Sequence, residues 1–341
     1  MTASPAAVPA PEGGGEAGLR AWLVGQWEDE ERQAWQVALA AACPGVTWLP
    51  AQPVPDARGL AVDVAVVANP PPGALRGLHG LRLIQSLWAG VDRLLDDPTL
   101  PEGVPVARMV DPVMTRAMAE TATWATLALH RGFFRYARQQ SLSRWQQLEQ
   151  RRADEVEVLV LGMGEMGSAV AHALAALGYR LSGWSSAAPA ASAVPGTRAA
   201  PPAVRRLWGR QALPAALAQA QVVLNLLPLT PATRGIIDAA FLAALPRGAA
   251  IVNLARGAHV VEADLLAALD SGHLAHAVLD VFQAEPLAAD HPFWRHPGLT
   301  VLPHVAALTD RRSAAAVVAD NLARLACGEP LRHRVDRARG Y

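Results

Sequence analysis

The chain has 341 residues, 30 basic and 30 acidic side chains and two cysteines, Cys43 and Cys327, far apart and in no CxxC spacing. Balanced charge without a long like-charge run excludes the footprint of a nucleic-acid or anionic-membrane binder, and the cysteine pattern excludes a disulfide framework and a Cys-based zinc site, making a reducing cytoplasm the expected compartment. Lysine is absent, so all 30 basic side chains are arginine, which removes Schiff-base and pyridoxal-phosphate chemistry and the lysine-dependent Walker loop.

This length favours two domains. Residues 1–18 are mostly Ala, Pro and Gly, too poor in apolar bulk to offset the entropy of ordering, and are expected to be a disordered tail. From Leu19 the pattern predicts strands at 19–24, 46–49, 62–67, 81–87 and 104–110 and a helix over 28–42, an alternation that implies a parallel sheet. One long helix is expected over 112–136, with Pro112 at its start and Met114, Met118, Ala122, Ala125 and Leu129 at helical spacing, crossing between domains. After a polar stretch at 139–154, six strands are expected at 156–161, 179–184, 222–227, 249–254, 277–281 and 299–302, which suits a doubly wound domain. Residues 187–202 read as a loop. No apolar run approaches the roughly 20 residues a bilayer span needs, and no basic-then-apolar leader pattern opens the chain, so a soluble, unexported protein is expected.

The first of the six strands runs into Gly162-Met163-Gly164-Glu165-Met166-Gly167 and then into a helical pattern. This is GxGxxG in the context of a dinucleotide site: a tight turn, a close backbone approach to pyrophosphate and a close helix packing. An NAD site would present an acid about twenty residues on, but the sequence there is Ser182-Gly183-Trp184-Ser185-Ser186. Without that carboxylate a 2′-phosphate is not repelled, which admits NADP, with Ser185 and Ser186 as hydroxyl donors and Arg198, Arg205 or Arg206 as candidate cations.

Three further residues follow strand ends, where an open α/β sheet lines its ligand crevice: Arg256, Glu285 and His304. An arginine holds a carboxylate through paired hydrogen bonds and polarises an adjoining carbonyl. A histidine supplies the proton that a carbonyl needs when hydride arrives, and a nearby glutamate favours its imidazolium and fixes its tautomer. Together they point to reduction of a small 2-oxo acid. The spacing His273-x-x-His276, with His291 and His296, completes no recognised metal set, so no metal is expected.

From residue 19 to 341 the sequence resembles the D-2-hydroxyacid dehydrogenases, within them the glyoxylate/hydroxypyruvate reductase A branch. The resemblance rests on Asn225-Leu226-Leu227-Pro228-Leu229-Thr230-Pro231 with Thr233-Arg234-Gly235-Ile236, on Asn253-Leu254-Ala255-Arg256-Gly257, on Leu279-Asp280-Val281-Phe282 with Glu285-Pro286-Leu287, and on Pro303-His304-Val305-Ala306. It implies an NAD(P)-dependent enzyme with two doubly wound parallel-sheet domains and a cleft between them: a flavodoxin-like substrate domain from 19–108 with 303–341, and a Rossmann domain over 109–302. It implies Arg256, Glu285 and His304 as the catalytic set. Cofactor contacts are implied at Gly162, Gly164, Glu165, Met166, Gly167, Trp184, Ser185, Ser186, Leu227, Pro228, Thr233, Ala255, Asp280 and His304. Substrate contacts are implied at Trp88, Ala89, Gly90, Val91, Arg256 and His304, and the assembly implied is a homodimer. Two departures stand out: Ser186 replaces the branch's usual phosphate-gripping Arg, and Ala68 replaces a Trp, which would enlarge the pocket. Two other readings are a dinucleotide-sensing, co-repressor-like binding protein and an oxidative NAD-dependent dehydrogenase of the same family.

Overall fold

The computed structural model describes residues 18–50, 59–188, 201 and 204–341. Apart from Gly18, the expected tail lies outside these residues, as do most of the 187–202 loop and Arg198. Two all-parallel sheets build the protein. In the first, β1 (Arg20–Gly25), β2 (Thr47–Trp48), β3 (Val64–Ala68), β4 (Leu83–Ser86) and β5 (Val106–Ala107) lie in the order β2-β1-β3-β4-β5, a flavodoxin-type winding. Every residue of β3, Val-Ala-Val-Val-Ala, is buried, as a parallel strand covered on both faces requires. Helix α1 (Asp29–Ala42) opens with Asp29, Glu30 and Glu31, whose charges oppose the positive end of its dipole. A single-turn helix, α2 (Asp92–Leu95), follows β4.

The helix expected over 112–136 is two helices, α3 (Pro112–His130) and α4 (Phe133–Ser141). Between them Gly132 has φ +72°, a backbone that only glycine adopts freely, and the chain turns there. Asp111 caps α3 by accepting from the N–H groups of Val113 (3.0 Å) and Met114 (3.3 Å), and it also accepts from Ser313 Oγ at 2.8 Å. Met114 packs in the core of the first sheet, whereas Met118, Ala122 and Ala125 pack against the second. α3 therefore crosses between the two.

The second sheet has seven strands: β6 (Glu157–Leu161), β7 (Arg180–Ser185), β8 (Arg205–Trp208), β9 (Val222–Asn225), β10 (Ala249–Asn253), β11 (Leu274–Leu279) and β12 (Leu299–Val301). Their order is β12-β11-β10-β9-β6-β7-β8, the Rossmann winding with one strand added. The unexpected strand is β8, an edge strand in which no residue is fully buried, so no apolar alternation marked it. α5 (Glu165–Ala176), α6 (Leu213–Leu217), α7 (Ala239–Ala243) and α8 (Glu262–Asp270) join these strands. Successive residues of the central strands serve opposite faces: Leu159, Val223 and Ile251 enter one core while Val158, Leu224 and Val252 enter the other, as the period of two demands.

The last helix, α9 (Arg311–Ala326), returns to the first sheet, where Ala314, Ala315, Val318 and Leu322 pack with Ala21, Leu23, Trp35 and Val66. Asn321, buried on this helix, donates to Gln85 Oε1 at 2.7 Å. Among the described residues no helix is long and apolar enough to cross a membrane.

Candidate active site

The strand order of the second sheet reverses between β6 and β9, and the crevice at such a point is where α/β sheets bind dinucleotides. The glycine loop leaves β6 there. Gly162 has φ +93°, and a Cβ on it would stand 2.6 Å from Leu226 O, in the loop after β9. A Cβ on Gly167 would collide with the Gly162 carbonyl, so the third glycine lets α5 lie against the turn. Gly164 is different: nothing lies within 4 Å of its would-be Cβ, and it caps α5 without a side-chain hydrogen bond. The turn is therefore open on the side of Gly164, at the N-terminus of α5, where folds of this kind receive a pyrophosphate.

The neighbouring residues assigned to the cofactor divide into two kinds. The Trp184 indole is 2% exposed in the core and donates to Gly209 O at 2.9 Å, so Trp184 meets the crevice through its backbone, its carbonyl accepting from Gly162 N–H at 2.8 Å. Ser185 Oγ accepts from Met163 N–H at 3.4 Å, and Ser186 is exposed. Leu227 and Thr233 are buried; Thr233 Oγ donates to Pro228 O at 2.7 Å and so shapes the loop that flanks the cradle.

Beneath that loop lies a polar network. Asn225 Nδ2 donates to Asn253 Oδ1 (2.9 Å) and to His259 Nδ1 (3.0 Å). The proton of His259 therefore sits on Nε2, which donates to Pro228 O at 3.3 Å. Asn253 Nδ2 in turn donates to Arg256 O at 2.9 Å, while its Oδ1 accepts from Ala255 N–H at 3.2 Å. All three side chains are 0% exposed, and together they tie the Pro228 loop to the Arg256 loop. No sequence pattern marks His259, because its side-chain partners, Asn225 and Pro228 O, come from β9 and the loop after it.

Arg256, Glu285 and His304 stand on one rim because their strands end level: Asn253, Leu279 and Val301 are in register across β10, β11 and β12. A Cβ on Gly257 would collide with the Phe282 backbone, which brings the first two of these loops into contact. Glu285 Oε1 accepts from Phe282 N–H at 2.9 Å and its Oε2 pairs with His304 Nδ1 at 2.8 Å. A carboxylate acceptor puts a proton on Nδ1 and leaves Nε2 for the cleft. Asp280, 1% exposed, holds the following turn by accepting from Val305 N–H (2.7 Å) and Ala306 N–H (2.9 Å). Burial pushes its carboxyl above the usual range, against the lowering effect of those two donors. His304 has φ +55°, a left-handed backbone that His tolerates better than most side chains. Arg256 donates from Nε to Asp92 Oδ1 at 3.0 Å and from Nη1 to Ala255 O at 2.7 Å.

On the first sheet's side, Trp88 packs edge-to-face on Trp35 with ring centroids 6.3 Å apart. Ala68, expected to widen the pocket, is 2% exposed in the first core. A Cβ on Gly25 would stand 2.7 Å from Ala68 O and 2.8 Å from the Trp27 ring. Trp27 is thus an aromatic at this strand end that the sequence analysis did not single out. Among the described residues no three His, Cys, Asp or Glu side chains gather as a metal site.

Burial pushes both His259 and His276 down to about 4. Between that value and the ordinary pKa of about 6.5, the unfolded chain binds protons on these two residues that the folded protein does not. Stability is then fully present above pH 6.5 and falls as pH drops through the window, by up to about 1.4 kcal/mol per pH unit for each histidine. Urea unfolding at pH 7, 6 and 5 should show this fall, shallower in His276→Gln. An equally steep fall in that variant would assign the effect to other groups.

The family model for the NAD binding domain of the D-isomer specific 2-hydroxyacid dehydrogenases matches residues 123–306. Among solved structures, a D-isomer specific 2-hydroxyacid dehydrogenase from Xanthobacter autotrophicus Py2, in complex with NADPH and MES, is 37% identical, covers 95% of this chain and 100% of its own, and superposes with a TM-score of 0.83. An NADPH-dependent glyoxylate/hydroxypyruvate reductase from Sinorhizobium meliloti, in complex with NADP and sulfate, is 36% identical with the same coverage and TM-score. A probable 2-hydroxyacid dehydrogenase from Rhizobium etli CFN 42, in complex with NADP, HEPES and L(+)-tartaric acid, is 29% identical over 95% of this chain and 100% of its own, with a TM-score of 0.83. With two parallel-sheet domains and a dinucleotide cradle at the switch point of the second, this chain belongs to the D-isomer specific 2-hydroxyacid dehydrogenases.

Proposed function

We propose that the protein reduces a small 2-oxo acid of the glyoxylate or hydroxypyruvate kind to its 2-hydroxy acid, with NADPH as the preferred donor. The observation that carries this reading is the His304–Glu285 pair at 2.8 Å on the same strand-end rim as Arg256. Glu285 accepts from Nδ1–H and fixes the ring, and a proton on His304 Nε2 is the one donated to the alkoxide that forms on the substrate. Arg256 keeps N–H groups on Nη1 and Nη2 for the substrate carboxylate. The backbone N–H groups of Ala89, Gly90 and Val91 find no acceptor among the described residues, which supports their turning to the same carboxylate. The nicotinamide cofactor, held by the Gly162–Gly167 loop and the first N–H groups of α5, supplies the hydride.

NADPH is favoured by the absence of a ribose-binding acid after Trp184 and by the cofactors bound in the Xanthobacter and Sinorhizobium relatives. Of the candidate cations, Arg205 donates to Ser182 Oγ at 3.3 Å, while Arg206 has a buried Nε with no hydrogen-bond partner. A preference of about 1 to 3 kcal/mol is expected, since a hydroxyl at Ser186 gives a weaker bond to phosphate than a guanidinium would. Steady loss of NADPH absorbance across a panel of 2-oxo acids tests the activity; cofactor binding with no turnover would select a sensor instead. Titrating both cofactors should show Ser186→Arg sharpening the preference, chiefly through KM for NADPH. A wild type that prefers NADH and is unmoved by the substitution would overturn the ribose-pocket assignment.

We also propose a homodimer in the cytoplasm. Trp145 is 96% exposed beyond α4, and a groove lined by Trp124, Leu127, Phe133 and Ala173 lies on α3 to α5; an arm and a groove on one chain are what a two-fold exchange between copies requires. The compartment is supported by the two unpaired cysteines.

A further inference from the structure

The guanidinium of Arg256 reaches the loop that follows β4, and that loop is shaped around it. Asp92, the first residue of α2 and 164 positions away in the sequence, accepts Arg256 Nε–H at 3.0 Å. Two residues earlier, a Cβ on Gly90 would collide with Arg256 Nη2 while standing 3.0 Å from Asp92 Oδ1. The ion pair is largely shielded, with side-chain exposures of 31% for Arg256 and 17% for Asp92. One sheet therefore contributes the arginine, and the other contributes both its counter-charge and the space its outer nitrogen fills.

We infer that Asp92 and Gly90 form a seat for Arg256, with Asp92 a positioning residue that presets the guanidinium for the carboxylate of a 2-oxo acid. The inference rests on the reading of Arg256 as the residue that grips this carboxylate. A guanidinium has five N–H groups. Nε–H goes to Asp92 and one Nη1–H to Ala255 O at 2.7 Å, which leaves three, all on the Nη edge. Asp92 bonds the Nε side alone, so it fixes the plane of the group without taking the fork that a substrate carboxylate needs. An arginine held before substrate arrives loses less side-chain entropy on binding. Because its two halves come from different sheets, the seat exists only where the two loops meet.

A carboxylate beside an arginine has an opposite possible role, as a competitor that the substrate must displace. The two differ in sign: removing a competitor lowers KM, and removing a support raises it.

The test uses the full chain with hydroxypyruvate and NADPH, comparing Asp92→Ala, Asp92→Asn and Gly90→Ala, each alone and combined with Arg256→Lys. We expect Asp92→Ala to reduce kcat/KM by about 10- to 100-fold, mostly through KM, with the Kd for NADPH unchanged. Asp92→Asn should recover part of the loss, because its amide oxygen still accepts from Nε. Gly90→Ala should cause a comparable loss at an unchanged Tm, since the atom displaced is the end of a flexible side chain. In the Arg256→Lys background all three should change kcat/KM little. A lower KM in Asp92→Ala, or effects that multiply in full with Arg256→Lys, would overturn the inference. An unimpaired Arg256→Lys would instead overturn the carboxylate reading, whereas an impaired Arg256→Lys with silent Asp92→Ala and Gly90→Ala would overturn the seat alone. Should Asp92→Ala fold poorly, Asp92→Asn and Gly90→Ala carry the same comparison.

Discussion

Replacing His304 by alanine is expected to lower turnover by about two to four orders of magnitude and to leave NADPH affinity nearly unchanged. The proposed proton donor is lost, but the glycine loop proposed to hold the pyrophosphate belongs to another part of the sheet: Gly162 to Gly167 follow β6, whereas His304 follows β12, four positions away in the strand order with β9, β10 and β11 between them. The turn that carries His304 is held by Asp280 through Val305 and Ala306 N–H, contacts the substitution does not remove. Its left-handed backbone at φ +55° is less comfortable for alanine, so His304→Asn, a residue at ease there, separates lost chemistry from a disturbed turn. Both variants should lose turnover alike. Near-normal kcat in either purified protein would remove His304 from the proton path.

Arg256→Lys is expected to be nearly as damaging although it preserves charge. An ammonium has no planar fork, and charge-assisted hydrogen bonds contribute about 1.5 to 3 kcal/mol each. Losing two of them in the transition state should reduce kcat/KM by at least about 100-fold. The buried network underneath should survive, because Asn253 bonds the carbonyl of residue 256 and not its side chain. Far-UV circular dichroism and Tm should therefore match wild type. A variant that keeps most of its kcat/KM would exclude Arg256 from substrate binding.

What the sequence revealed, and what it hid, follows from how local each signal is. The glycine loop was legible because strand, turn and helix are contiguous from Glu157 to Ala176. Arg256 and His304 were legible because each lies just beyond an apolar run whose end predicts the crevice. β8 escaped because an edge strand with the sequence Arg-Arg-Leu-Trp has no buried face to impose a pattern. The break between α3 and α4 escaped because the apolar spacing continues past Gly132, and a glycine inside a periodic run is compatible with an unbroken helix. Asp92 directly follows the implied substrate contacts at 88–91, yet its tie to Arg256 depends on two sheets meeting, and no window along the chain contains both.

The return of α9 to the first sheet also has a consequence for synthesis. The strands of that sheet are complete once residue 107 has been made, but the helix that covers Ala21, Leu23 and Val66 is not made until residues 311–326. At about 5 to 20 residues per second, the ribosome needs roughly 10 to 40 s to cover that interval. The whole seven-stranded sheet emerges within it. The sheet that is translated before the other is therefore finished after it, and its apolar face must wait, open to chaperones or to other nascent chains, for a helix encoded beyond all seven strands of the second sheet.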